Sequence, residues 1–162
     1  MNRRIWALGL AALAMLGFAA TDAAAAGMMR GTGTWVLDAQ KSDFGSAPAI
    51  ASGKLVVTQT KKVHKVVTDI AYADGRKAHY EYSGPVDGSD IAVSGAPLFD
   101  SVTVLTPDKD TVIRTERKGG RLAGITTATV SKDGKTLTSQ RRGITISGPQ
   151  PSYTTVWNRA KH

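Results

Sequence analysis

Tyr82 to Asp100 reads YSGPVDGSDIAVSGAPLFD, and its turn residues set it apart from the chain on either side. Gly84, Pro85, Asp87, Gly88, Asp90, Gly95 and Pro97 crowd into it, leaving Ile91-Ala92-Val93 as a short apolar run. Upstream, apolar and polar residues alternate from Thr34 to Tyr82, and the alternation resumes from Val102 to Trp157. A period of two is the signature of a strand with one face buried. The stretch therefore reads as a compact crossover between two β-meanders, with corners at Asp87-Gly88 and Gly95-Ala96-Pro97.

Working outward, the predicted strands run over 76–82, 63–73 and 54–60, with Asp74-Gly75 as a two-residue hairpin because both central positions need positive φ. Lys61-Lys62 is unusually charged for a tight link, so a bulge or a bent continuous strand is an alternative there. The segment 38–49 reads as loop, returning Phe44 toward the core, and 31–37 opens the folded part. Beyond the crossover, strands are expected at 101–106, 111–118, 121–131, 135–142 and 153–158. Turns fall at Pro107–Asp110, Gly119-Gly120 and Lys132–Gly134, and one strand is expected to restart at Ile144-Thr145-Ile146 after Gly143. No sustained 3.6-residue apolar period appears after residue 26. The expected fold is all-β, with about nine or ten antiparallel strands joined by hairpins. Sequential hairpins with one long connection favour a closed up-and-down barrel over a sandwich.

The chain has 162 residues, a net charge of +8 and no cysteine. Asn2-Arg3-Arg4, the apolar run Ile5 to Ala20 and the small residues Ala23 to Ala26 have the layout of a cleaved signal peptide over 1–26. Thr21-Asp22 interrupts a run already short for a membrane span, which argues against an anchor and leaves no transmembrane span after cleavage. Residues 27–162 are expected to be one periplasmic or secreted β-barrel domain and a monomer. Without cysteine there is no lipobox and no disulfide, so the core must hold the fold unaided. Losing Arg3, Arg4 and Asp22 leaves a charge of about +7. With export and no nucleic-acid motif, that charge points to anionic envelope surfaces or to solubility rather than to nucleic acid.

Alternation assigns faces. Ala78, Tyr80 and Tyr82 share one face of their strand, with Lys77, His79 and Glu81 opposite. Thr111, Ile113 and Thr115 oppose Val112, Arg114, Glu116 and Lys118, and the charged faces are expected to meet water. The inward set, which includes Gly124, Thr126 and Ala128, is then small and partly hydroxylic, leaving room for a ligand. A narrow or flattened barrel is the alternative.

Gly33-Thr34-Trp35 resembles the G-x-W of lipocalin first strands and the opening of avidin-type barrels. That resemblance implies a Trp35 that closes the barrel floor under a basic side chain, here Arg159. More broadly, G-T-W-x-L-D-x-x-K-S-x-F, D-G-x-x-x-x-V-x-G-x-P-x-x-D and the Ser131–Thr138 hairpin SKDGKTLT resemble an uncharacterised exported bacterial family described as lipocalin-like. The resemblance implies fold and export, and carries no activity or site residues.

Enzyme constellations are thin: there is no cysteine nucleophile and no G-x-S-x-G. His79 and Glu81 share a face but lack a third metal ligand. Asp87, Asp90 and Asp100 do not have EF-hand spacing and read as turn residues. No metal and no cofactor are expected. Two functions remain ahead of an enzyme. The first is a barrel that binds a small, partly apolar ligand, lined by Tyr80, Tyr82, Trp157, Thr115 and Thr126. The second is an interaction protein with a filled interior, using Arg114, Arg117, Arg121, Arg141 and Arg142 as a basic outer surface against anionic envelope material, although strand arginines also protect edges from aggregation.

Overall fold

The computed structural model describes residues 29–144 and 150–161. The expected signal peptide at 1–26, the restart at Thr145-Ile146 and His162 lie outside the described residues. Those residues form no helix and one ten-stranded antiparallel sheet. Its strands are β1 (Gly33–Leu37), β2 (Ile50–Gln59), β3 (Val63–Tyr72), β4 (Lys77–Pro85), β5 (Ile91–Ala92), β6 (Ser101–Leu105), β7 (Thr111–Lys118), β8 (Arg121–Val130), β9 (Thr136–Gly143) and β10 (Tyr153–Arg159). The spatial order is β4-β3-β2-β1-β10-β9-β8-β7-β6-β5. First and last strands pair, with Trp35 opposite Arg159 and Leu37 opposite Trp157. The result is a nearly closed up-and-down barrel.

The crossover is the seam of that barrel. β4 runs into it as far as Pro85, and β5 pairs with β6. Glu81 and Ser94 then exchange backbone hydrogen bonds, each 3.0 Å, which tie β4 to the segment after β5. Gly95 makes this approach possible. Its φ is +81°, and a Cβ there would collide with the carbonyl oxygen of His79. The Lys61-Lys62 link is a tight hairpin, its turn held by the Thr60 hydroxyl accepting from the amides of Lys62 and Val63.

Inward positions build the core. Trp35, Val57, Val66, Tyr82, Val102, Val104, Val130, Leu137 and Trp157 are buried, as are Ile91 and Phe99 from the seam. One face assignment is reversed. On β7, Val112, Arg114 and Glu116 face the interior, where Glu116 is fully buried. Thr115 therefore takes the outer face, contrary to the expectation that it points inward. The physical reason is pairing: Arg141 on β9 meets Glu116 from two strands away, so the charged face is compensated inside the barrel.

Candidate functional site

One end of the barrel is closed by its own chain. The segment before β1 folds across it, with the Met29 amide donating to Gln59 O (3.1 Å) and Arg30 pairing with Asp110 (3.1 Å). Trp35 is fully buried beneath this cover and donates its indole N–H to Gly31 O at 2.9 Å. The Arg159 guanidinium lies 4.2 Å from the Trp35 ring centroid, a cation–π stack. Its nitrogens donate to Gly134 O, Thr32 O and Arg30 O, each at 2.7 Å. Every one of these acceptors is backbone, so the stack ties the β8–β9 turn, the leading segment and β10 together.

Above that floor is a cavity of about 240 Å³. Its wall is mostly apolar: Leu55, Val57, Val66, Ile70, Val112, Ala128, Val130, Leu137 and Trp157 all contribute. The far end is rimmed by Phe44 and Pro48 from the β1–β2 loop, Tyr72 and Arg76 from the β3–β4 hairpin, and Leu98 from the seam. Reciprocal backbone bonds between Asp43 and Thr154 (2.9 and 2.7 Å) hold the β1–β2 loop against β10, which brings Phe44 over the rim. Tyr80 and Tyr82 line the cavity as alternation implies, and Phe99 packs edge-on to Tyr80 at 5.8 Å between centroids.

Three uncharged polar side chains in the wall lack partners among the described residues. Gln59, His64 and Thr68 are each at least 96% buried. Gln59 Oε1, His64 Nδ1 and Thr68 Oγ1 have no hydrogen-bond partner among the described residues. Burial, with Arg114 adding to it, pushes the His64 imidazole down to about 4, so it is neutral near pH 7. Its ring lies 5.7 Å from that of Tyr82. A buried polar atom without a partner costs about 1–3 kcal/mol, so three around one cavity need a reason.

The cavity also carries a charged cluster. Arg114 Nε and Nη2 both donate to Glu116 Oε1, at 3.1 and 2.7 Å, and Arg141 Nε donates to Glu116 Oε2 at 2.7 Å. Thr126 Oγ1 donates to Glu116 Oε1 at 2.7 Å. Gly124 leaves the space for this approach: a Cβ there would stand 2.9 Å from Arg141 Nη2 and 3.0 Å from Glu116 Oε2. Burial alone would raise the Glu116 carboxyl, but Arg114 and then Arg141 outweigh it and hold the group below its usual range. Burial opposes the Arg114 charge as well, and Glu116 followed by the tyrosines more than offsets that, raising it well above the ordinary value. The Arg114 guanidinium also sits 4.9 Å from the Phe99 centroid.

Of the residues singled out from sequence, Tyr80, Tyr82, Thr126 and Trp157 meet at this cavity. Trp35 and Arg159 meet at the closed end. Arg114 and Arg141 are not on the outer surface: Arg141 is 3% exposed, and both line the cavity. Arg121 and Arg142 are exposed, and Arg117 pairs with Asp90 at 3.0 Å. His79 bonds Asp69 at 2.7 Å on an exposed face. Asp87 and Asp100 accept from the backbone amides of Ser89 and Gly119. Gln59, His64, Thr68 and the inward role of Glu116 went unread. The available signal was parity, because Gln59 follows Val57 by two, and Val66 lies midway between His64 and Thr68.

No family model, curated protein or solved structure matches the chain.

Proposed function

We propose that the protein is a small-molecule-binding barrel whose ligand occupies the interior. The observation that carries this reading is the cavity of about 240 Å³ whose apolar wall is broken by the partnerless Gln59, His64 and Thr68. Such pockets suit ligands that are mostly apolar with one or two polar groups. At ~30 Å³ per water-sized group the space holds about eight of them, so the ligand has on the order of ten non-hydrogen atoms. The layout of residues 1–26 and the lipocalin-like resemblance support an exported carrier of this kind.

Trp157 lines the cavity, and its fluorescence is the natural reporter. Titration with short alcohols, acids, isoprenoids and aromatic metabolites is expected to give a saturable change with at least one class, and Trp157→Phe is expected to remove it. A flat response across the panel, together with no retained small molecule in native mass spectrometry, would overturn the reading. The alternative basic-surface function loses support from the inward placement of Arg114 and Arg141.

A further inference from the structure

We propose that the ligand is a monoanionic amphiphile, of the size of a medium-chain carboxylate, and that Arg114 anchors its head group. The inference deepens the ligand-binding reading and rests on it. Charge counting is the first argument. The buried cluster holds Arg114 and Arg141 against the single carboxylate of Glu116, so one positive charge is left over. Among the described residues no free acid supplies the balance: Asp110 also lines the cavity, at its closed end, but is already paired with Arg30 and Lys109. His64 is neutral. An uncompensated charge in an apolar wall is costly, and a ligand carboxylate would offset that cost.

Donor counting shows which arginine is available. Arg141 is occupied on every nitrogen, by Glu116, Pro151 O, Ala123 O and Gln150 Oε1. Arg114 spends Nε and Nη2 on one oxygen of Glu116, and its Nη1 reaches only the Tyr82 hydroxyl at 3.5 Å, a long contact. A guanidinium carries five N–H donors, so Nη1 keeps capacity for an incoming acceptor. The Arg114 side chain is 13% accessible, against 1% for Arg141. Burial raises the Tyr82 phenol, which keeps it protonated and able to donate beside the same position. A carboxylate there meets two donors while its chain enters the apolar remainder.

The test compares octanoate with octan-1-ol, which have nearly the same shape, by calorimetric titration of the wild-type protein at pH 7.5. The acid is expected to bind roughly 10- to 100-fold more tightly, the range of a charge-assisted hydrogen bond. Arg114→Gln is expected to abolish the preference and spare octanol binding, whereas Arg114→Lys retains part of it. Circular dichroism melting checks that each variant folds. If Arg114→Gln does not fold, Tyr82→Phe is the second variant, expected to weaken octanoate binding severalfold and octanol binding hardly at all. Equal affinity for acid and alcohol in the wild type overturns the anion anchor and leaves the ligand-binding reading standing. Binding of neither, with no response to the wider panel, overturns both.

Discussion

Arg159 and Arg114 are both arginines stacked on an aromatic ring inside the same barrel, yet their surroundings differ in one respect. Arg159 over Trp35 has each of its three nitrogens engaged by a backbone carbonyl at 2.7 Å. Arg114 near Phe99 doubles up on one carboxylate oxygen and leaves Nη1 with a 3.5 Å contact. The lesson is that a cation with every nitrogen engaged by the chain at short distance is part of the scaffold, whereas one with a nitrogen left to a long contact marks a place where another molecule belongs. The partnerless polar side chains of the cavity wall follow the same rule.

The largest expected effect comes from breaking the cavity side. Glu116→Ala leaves two buried arginines without their carboxylate, and urea unfolding is expected to show a loss of about 3–5 kcal/mol. Breaking the closed end should cost a similar amount by another mechanism. Trp35→Ala removes a fully buried indole and the surface on which Arg159 stacks, with an expected loss of about 3–5 kcal/mol. A melting curve unchanged by Trp35→Ala would show that this end is not a structural plug.

Acid sharpens the comparison, because His64 belongs to the cavity side. Below pH 6.5 the unfolded chain takes up a proton at His64 that the folded chain refuses until about pH 4. Stability from this group is full above 6.5 and falls as the pH drops toward 4, by about 3 kcal/mol. His64→Leu is expected to flatten that part of the pH–stability curve. Glu116 acts in the same direction lower down: its depressed carboxyl stabilises fully above about 4.5, and this is lost as the pH falls through its folded value. His79, raised by its hydrogen bond to Asp69, acts in the opposite sense from an exposed position. The smallest effect belongs to the outside. Arg121→Ala and Arg142→Ala, both at exposed positions, are expected to change stability by less than about 0.5 kcal/mol and leave octanoate binding unchanged.

The sequence made the hairpin positions legible where turn chemistry is unambiguous, as at Gly119-Gly120, where both glycines take positive φ. At Asp74-Gly75 the turn falls where expected, but only Gly75 takes positive φ and Tyr72 bonds to Arg76 across three residues rather than two. The sequence also placed Tyr80 and Tyr82 inside, because the opposite face of their strand is plainly polar. On β7 the same reasoning failed. Alternation tells which residues share a face but not which face is inside, and Arg114 with Glu116 looked like a solvated pair. What reverses the assignment is Arg141, twenty-five positions after Glu116 and on the far side of β8, brought close by register that no local pattern encodes. Thr115 followed its neighbours to the wrong side for the same reason. Seam closure was hidden as well, since β5 is two residues long and the link to β4 is a single bridge.

The most direct test of an interior ligand site is a crystal structure of the protein grown with 8-bromooctanoate and measured at the bromine absorption edge. The account predicts an anomalous bromine peak inside the barrel, within the apolar wall formed by Leu55, Val57 and Val130, and a carboxylate about 3 Å from Arg114 Nη1. A barrel interior without bromine in crystals that carry it elsewhere would contradict the account.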